Sequence, residues 1–205
     1  MMNRHSRATA QSAVRRARQE TYRGLILEAA ERIFGERGYA EAKVAEIALA
    51  AGVATGTVYG IFPGKRDLYR AVHRENLVEL ARRYAEGAEG DSPGATLLER
   101  SRVSTLFLTS RPNYLRVYLR EAERWGFDPE QLPADASAFV DLELYRQGVE
   151  SGEFVDADPA LLQGLLLANS QVHLAHWLRG GQREEPAALA LRIQATARRI
   201  LFRTP

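Results

Sequence analysis

The 205-residue sequence contains no cysteine, which excludes disulfide bonds and thiolate metal sites and is compatible with a reducing compartment. A secretory signal is not recognisable, so we predict a cytoplasmic protein. An apolar run of about twenty residues is also missing, and we therefore expect no membrane span. Because neither alternating strand patterns nor Asn-Gly hairpin signals occur, the chain is predicted to be all-α.

A phosphate-binding loop of the form G-x-x-x-x-G-K-[ST] is absent as well, and we predict neither a catalytic residue nor a cofactor. His173 and His176 lie one helical turn apart and close to Asn169. With no acidic or cysteine partner nearby in sequence, hydrogen-bonded histidines at a buried interface are favoured over a metal site. An all-helical enzyme, with acids brought together from distant positions, stays as a weaker alternative.

The stretch 44–62, VAEIALAAGVATGTVYGIF, has the pattern of a helix-turn-helix. Its first half places apolar residues at i, i+3, i+4 and i+7, which predicts a short, half-buried helix. Gly52 follows where the chain must turn, and a residue without Cβ can adopt the left-handed conformation there. The second helix keeps Val58 at its back, while Thr57 and Tyr59 point away. Such a helix fits the DNA major groove, but an ordinary pair of packed helices would show the same pattern.

The flanking segments decide between these interpretations. The pieces ILEAAERIFGERGY, VAEIALAAGVATGTVYGIF and PGKRDLYRAV occur in this order within residues 21–72, and together they resemble the DNA-binding domain of the TetR family of bacterial transcriptional regulators. The resemblance implies an N-terminal three-helix helix-turn-helix domain over residues 21–66. A larger helical domain for effector binding and dimerisation would cover residues 67–205.

In function, the resemblance implies a homodimer, most often a repressor, whose two reader helices bind a palindromic site on double-stranded DNA. A small-molecule effector would lower its affinity for that site. The alternative from another class is a nonspecific architectural DNA-binding protein, which would need little base readout.

Candidate DNA contacts follow from the match to the family. Gly56 would let the helix backbone approach DNA closely, and Lys65 would bind a phosphate at a helix N-terminus, with a solvated surface lysine as the alternative. The chain departs from the family in two respects: Ala42 and Lys43 stand where a capping Thr is common, and Gly60 stands where an aromatic residue is common. The predicted DNA-binding residues are Lys43, Thr55, Gly56, Thr57, Tyr59 and Lys65.

Positive charge is concentrated beside this motif, although the formal net charge of the whole chain is only +2. The first 24 residues contain six arginines and a single acid, Glu20. We predict that residues 1–20 form a disordered basic arm. Such an arm either gains DNA affinity through phosphate contacts and counterion release or serves as a solubilising tail.

The second domain offers an effector site and a dimer interface. Three aromatic residues and one carboxylate share a face of the helix after Pro112, which suits a flat or cationic effector, although core packing is the alternative. One later helix is apolar on two faces and so must be covered twice, and the amphipathic final helix could form the other half of the contact. The resemblance implies a four-helix dimer interface there. The effector candidates are Tyr114, Tyr118, Glu121 and Trp125, and the dimer candidates are Leu161, Leu165, Val172, Ala175, Ile193 and Ile200.

Overall fold

A computed structural model describes residues 4–125 and 141–203, with side chains for residues 12–120 and 141–203. The all-α prediction is confirmed: in these ranges, an isolated bridge between Phe154 and Phe202 is the only extended pairing. The helices there are α1 (Arg4–Glu41), α2 (Val44–Ala50), α3 (Thr55–Ile61), α4 (Lys65–Ala85), α5 (Pro93–Thr109), α6 (Pro112–Trp125), α7 (Leu142–Glu150), α8 (Pro159–Arg179) and α9 (Pro186–Leu201).

Two compact units divide the chain, Met1–His73 and Arg74–Pro205. The division falls inside α4, several residues after the domain boundary expected at residue 66. It does so because the first turns of α4 belong to the core of the N-terminal unit, where Leu68 and Val72 are buried. In the described ranges no single helix is long and apolar enough to cross a membrane; the bent pair of α2 and α3 passes that test only when combined.

The N-terminal unit is built around α1. Its buried stripe includes Ile26, Ala30 and Ile33, and α1 contacts both short helices, whose buried residues are Ile47 among others in α2 and Val58 in α3. Burial of this apolar stripe supplies most of the stabilisation of such short helices, since a seven-residue helix is not stable by itself.

The turn between α2 and α3 has the geometry that the glycine pattern predicts. Gly52 adopts φ +67°, and its N–H donates to the Leu49 carbonyl at 3.1 Å. The N–H of Val53 donates to the Ala48 carbonyl at 3.0 Å. These two bonds form a Schellman motif, which ends α2 and lets the chain turn into α3.

Residues 1–20 were expected to form a disordered basic arm. In the structure, α1 begins at Arg4, so residues 4–20 are helical. A physical reason is the composition of this segment, in which Ala, Arg and Gln are frequent. These residues have high helix propensity, so they extend a helix already nucleated by its packed C-terminal part.

The C-terminal unit is a helical bundle in which α9 packs against α5 and α8, and α7 packs against α8. Ser92 and Asp158 are the N-caps of α5 and α8, and Pro occupies the first helical turn in α5, α8 and α9, as expected for X-Pro pairs at helix starts. The core cluster comprises Leu97, Leu98, Leu144, Tyr145, Phe154, Leu162, Leu166, Ala197 and Leu201.

Candidate nucleic-acid interface

Helix α3 exposes one side to solvent and packs with its other side against the rest of the N-terminal unit. The axes of α2 and α3 differ in direction by 104°, within the range of a helix-turn-helix. Val58 is buried, and Phe62 directly after the helix is buried as well. Thr55 and Gly56 are exposed, Thr57 is half-buried, and Tyr59 retains 52% of its accessible surface.

Gly56 and Gly60 both leave open space on this helix. A Cβ atom built at either position meets no atom of the chain within 4 Å. Packing inside the domain therefore does not require glycine at these two positions. At Gly56 this open space is compatible with the predicted close approach of a DNA backbone.

Lys65 is engaged inside its own domain. Its Nζ donates to the carbonyls of Ala40 at 3.0 Å and Ala42 at 2.8 Å. It also lies 4.7 Å from the centre of the Tyr39 ring, close enough for a cation–π contact. Because an ammonium group has three donors, one remains for another acceptor. Lys65 thus ties the α1–α2 connection to the start of α4, and its phosphate contact stays a prediction.

The start of α2 lacks a side-chain cap, as the departure from the family predicted. Lys43 occupies the N-cap position and makes no capping hydrogen bond. Glu46 lies in the first turn, where a carboxylate is favoured by the helix dipole. Its Oε1 is paired with Arg37 Nη1 at 2.7 Å, which links α2 to α1.

The N-terminal part of α1 brings further positive charge to the same unit. Arg15, Arg16 and Arg18 are exposed. The Arg18 guanidinium donates to the Tyr22 hydroxyl from Nε at 2.9 Å and from Nη2 at 2.8 Å. Farther along the helix, the Arg23 guanidinium lies 5.5 Å from the centre of the Phe62 ring. The basic segment therefore leaves the domain beside the C-terminal end of α3.

Of the predicted effector residues, the structure describes two side chains. Tyr114 is only 2% exposed, and its ring centre lies 6.3 Å from that of Phe107 and 6.5 Å from that of Tyr118. Burial raises the pKa of the Tyr118 phenol. Tyr114 is therefore a core aromatic residue, in agreement with the packing alternative. The side chains of Glu121 and Trp125 lie outside the described residues.

A polar cluster in the C-terminal unit was missed by the sequence reasoning. The Tyr84 hydroxyl is hydrogen-bonded to Ser104, and burial raises the pKa of Tyr84 to about 12. The Arg100 guanidinium lies 5.7 Å from the Tyr84 ring centre and donates from Nη1 to Asp141 Oδ2 at 2.7 Å. The signal was present in α5, where Thr96, Arg100 and Ser104 recur at every fourth residue.

Arg100 and Asp141 also line an open cleft of about 220 Å³. Ligand pockets for drug-sized molecules have volumes of about 300–1,000 Å³. In its present shape the cleft is therefore suited to a small polar group rather than to a whole effector.

The dimer candidates on α8 are exposed, but one candidate on α9 is not. Leu161, Leu165 and Val172 are exposed, with Val172 at 67%, and Ala175 is half-buried. Ile200 is exposed on α9. Ile193 has no exposed surface, because its stripe on α9 faces the core of its own subunit. The prediction for Ile193 is therefore corrected, and Leu191, 65% exposed, joins Ile200 as an exposed apolar residue of α9.

Of the two histidines, His173 takes part in the α8–α9 packing, whereas His176 is exposed. His173 Nε2 lies 3.2 Å from the Thr196 hydroxyl, and Asn169 Nδ2 donates to the Ile193 carbonyl at 3.0 Å. Partial burial, followed by the charge of Arg192, lowers the pKa of His173. Within the described ranges, no group of three or more His, Asp or Glu side chains could hold a metal ion.

Residues 90–94 read G-D-S-P-G and so match the letters of a nucleophile elbow, G-x-S-x-G, which the sequence reasoning overlooked. The structure gives Ser92 another role. Its Oγ accepts from the Ala95 N–H at 3.2 Å and donates to Glu153 Oε2 at 2.8 Å. A nucleophile elbow lies between a strand and a helix, whereas Ser92 is the N-cap of α5. The match is therefore a helix cap.

Comparison with known proteins connects this architecture to one family. The family model described as "Bacterial regulatory proteins, tetR family" matches residues 26–72. The "Fatty acid metabolism regulator protein" of Bacillus subtilis is 36% identical over 61 residues, 30% of this chain and 31% of that protein. The "HTH-type transcriptional regulator TtgR" of Pseudomonas putida is 39% identical over 80 residues, 38% of each chain. The chain thus matches about a third of the length of these curated relatives.

A solved structure extends the likeness in fold beyond the first unit. The transcriptional regulator FadR from Bacillus subtilis, in complex with stearoyl-CoA, has a TM-score of 0.68 and 21% identity, covering 84% of this chain and 96% of that one. The fold and the exposed face of α3 define a helical protein with an N-terminal helix-turn-helix domain. The family model and the relatives identify the first unit: residues 26–72 match the DNA-binding domain of the TetR family of bacterial regulatory proteins.

Proposed function

We propose that the protein is a sequence-specific DNA-binding transcriptional regulator, a homodimeric cytoplasmic repressor that a small-molecule effector releases from a palindromic site. The observation that carries the proposal is the asymmetry of α3. Val58 anchors one side in the domain, while Thr55, Gly56 and Tyr59 form an exposed side. A helix held this way can enter the major groove, with its N-terminal residues against base edges.

The proposed contacts divide into base readout and positioning. Thr55 and Thr57 carry hydroxyl groups that can read base edges, and the Tyr59 hydroxyl can reach a base or a phosphate. Lys43, exposed at the start of α2, is proposed to contact the phosphate backbone, as is the third donor of Lys65. The backbone contacts would set the register of α3 in the groove and the hydroxyl groups would set the sequence.

Selection of duplexes from a random library tests this division of roles. The wild type should enrich a palindrome with two half-sites about 10 base pairs, or a multiple of that, apart. Thr57→Ala should change the preferred bases, whereas Lys43→Met should weaken binding to all sequences by similar factors. Enrichment of the same palindrome by wild type and by variants at Thr55, Thr57 and Tyr59 would remove α3 as the reader.

The proposed dimer uses the outer faces of α8 and α9. Leu161, Leu165 and Val172 follow one stripe of α8, and Leu191 and Ile200 are exposed on α9. Two such faces related by a two-fold axis would form an isologous four-helix contact. Dimerisation would also set two copies of α3 on one palindrome, because a single reader helix covers too few base pairs to specify a site.

Two chemical classes of effector compete for the second unit. The first is a flat or cationic molecule against the α6 face that carries Tyr118, Glu121 and Trp125. The second is a molecule with an anionic group that would displace Asp141 from Arg100, whose guanidinium lies over the Tyr84 ring. FadR from Bacillus subtilis was solved in complex with stearoyl-CoA, a ligand of the second class.

A thermal-shift screen separates the two classes. It would compare flat organic cations with anionic acyl compounds of similar size, using Arg100→Met as the diagnostic variant. Stabilisation by cations alone, unchanged in the variant, supports the first class. Stabilisation by anions alone, lost in the variant, supports the second and contradicts the first.

The effector is proposed to act through a shift between two populations of the dimer. It would bind more tightly to the form in which the two copies of α3 are wrongly spaced for the palindrome, and so lower DNA affinity. Because such coupling is reciprocal, DNA must weaken effector binding by the same factor. Simultaneous binding of effector and DNA, with neither weakening the other, would contradict this mechanism.

A further inference from the structure

The N-terminal part of α1 is a basic helix that extends past the core of its domain. Residues 12–20 are all exposed, whereas the same helix is buried at Ile26, Ala30 and Ile33. Between residues 12 and 24 the only acid is Glu20. The arginines of this segment are Arg15, Arg16, Arg18 and Arg23.

Helical register places these arginines on the face that is buried farther along. Arg15 precedes Ile26 by about three turns and points within roughly 20° of its direction. Arg16 and Arg18 flank Arg15 on either side. The face of α1 that packs against the rest of the domain therefore becomes basic where the helix leaves it.

This basic face starts beside the reader helix. Arg23 packs over Phe62, the residue that follows α3. At a rise of about 1.5 Å per residue, Arg15 lies roughly 12 Å beyond Arg23, the length of about three to four base pairs. The extension thus has the position and the length to reach DNA next to the segment that α3 would contact.

We propose that the N-terminal extension of α1 binds phosphates of the duplex that flanks each operator half-site; this inference rests on the proposed function. Two properties of the extension favour DNA phosphates as its ligand: its positive charge and its lack of an apolar face. Among residues 12–20, Val14 is the only large apolar side chain. A helix that lies on a membrane needs an apolar face to insert. Phosphates of a duplex, in contrast, need only guanidinium donors at the right spacing.

The salt dependence of DNA binding tests the proposal. The arm variant replaces Arg15, Arg16 and Arg18 by Gln, which keeps helix propensity and removes three charges. A control variant replaces three exposed arginines of the C-terminal unit, Arg102, Arg146 and Arg183, by Gln, with the same change in net charge. Circular dichroism establishes that both variants keep the helix content of the wild type.

Fluorescence anisotropy then gives the dissociation constant between about 50 and 200 mM salt. In the arm variant the slope of log K against log[salt] should become less steep by about 2.7 for each arm bound, since each lost phosphate contact removes about 0.9. The control variant should keep the slope of the wild type. Equal slopes in the arm variant and the wild type, or an equal reduction in the control, would overturn the proposal.

Duplex length gives a second, independent readout. The wild type should bind an operator with about six added base pairs at each end more tightly than the operator alone, and the arm variant should bind both equally. A wild type insensitive to the flanks contradicts the proposal. Failure of the proposed function is distinguishable from failure of this inference, because a wild type that does not read sequence would bind all duplexes with equal affinity. The slopes of the arm and control variants on random duplex would still decide whether the extension binds phosphates.

Discussion

Replacement of Lys65 by methionine tests whether this residue is chiefly a structural tie. Methionine keeps an unbranched apolar stem but loses the hydrogen bonds to the carbonyls of Ala40 and Ala42 and the contact with the Tyr39 ring. A hydrogen bond from a charged group contributes about 1.5–3 kcal/mol when buried and less when exposed, and the Ala40 contact is exposed. An exposed cation–π contact adds about 0.5–1 kcal/mol.

The expected loss in the free energy of unfolding is about 2–3 kcal/mol, or a fall in Tm of about 4–12 °C. Lys43→Met is the matched control, because Lys43 is the other lysine of the chain and is exposed. It removes the same charge and should change the unfolding free energy by less than about 0.5 kcal/mol. Urea denaturation followed by circular dichroism measures both variants. Equal stability of the two variants would refute the assignment of Lys65 as a tie.

Further predictions concern the turn, the dimer and pH. Gly52→Ala should destabilise the protein by about 1–2 kcal/mol, because φ is +67° there. Gly24→Ala is the control, because Gly24 lies within α1 and has open space at Cβ, and it should be neutral or stabilising. Thermal denaturation measures both variants, and equal stability of the two would contradict the assignment of Gly52. Val172→Glu should convert dimer to monomer in analytical ultracentrifugation, whereas Val78→Glu, at another exposed valine, should not; a dimeric Val172→Glu would contradict the proposed interface. Burial lowers the pKa of His73 from 6.5 to about 4. The unfolded state therefore binds more protons between these values, and stability should fall by up to about 3 kcal/mol as pH drops from 6.5 to about 4. His73→Gln should remove this loss in urea denaturation at several pH values, and an unchanged pH profile would contradict the assignment.

The helix-turn-helix could be predicted from the sequence because its constraints are local. The spacing of apolar residues in α2, together with a glycine at the turn, is enough to require one short helix, a left-handed residue and a second helix. The φ of +67° at Gly52 and the buried Val58 agree with that pattern. Proline at the starts of α5, α8 and α9 is a local signal of the same kind, since proline is favoured in the first turn.

The features that the sequence did not reveal depend on contacts between distant residues. Lys65 donates to the carbonyls of Ala40 and Ala42. The spacing of residues within α4 gives no indication of this contact, because its partners lie more than twenty residues earlier in the chain. On α9, periodicity indicated an apolar stripe with Ile193, but not which stripe its own subunit buries. Leu191 was overlooked because its neighbours on that side, Ala187 and Ala195, are too small to form a second stripe of large apolar residues with it.

The N-terminal extension shows the limit of composition as a guide. A segment rich in arginine and poor in apolar residues cannot fold by itself, so disorder was the expectation. Joined to a packed helix, however, the same segment needs no new nucleus to continue it. Its register relative to Ile26 is meaningful because α1 runs without a break from Arg4 past Ile26; a kink at Gly38, where φ is +79°, interrupts the helix only near its end.

Competition anisotropy with two duplexes of equal length at one salt concentration tests whether α3 reads DNA sequence. One carries the palindrome selected by the wild type, and the other carries the same bases in scrambled order. If α3 reads sequence as a regulator requires, the wild type should prefer the palindrome by about 10³-fold or more. Equal affinity for the two duplexes would contradict the account and identify the protein as a nonspecific DNA binder.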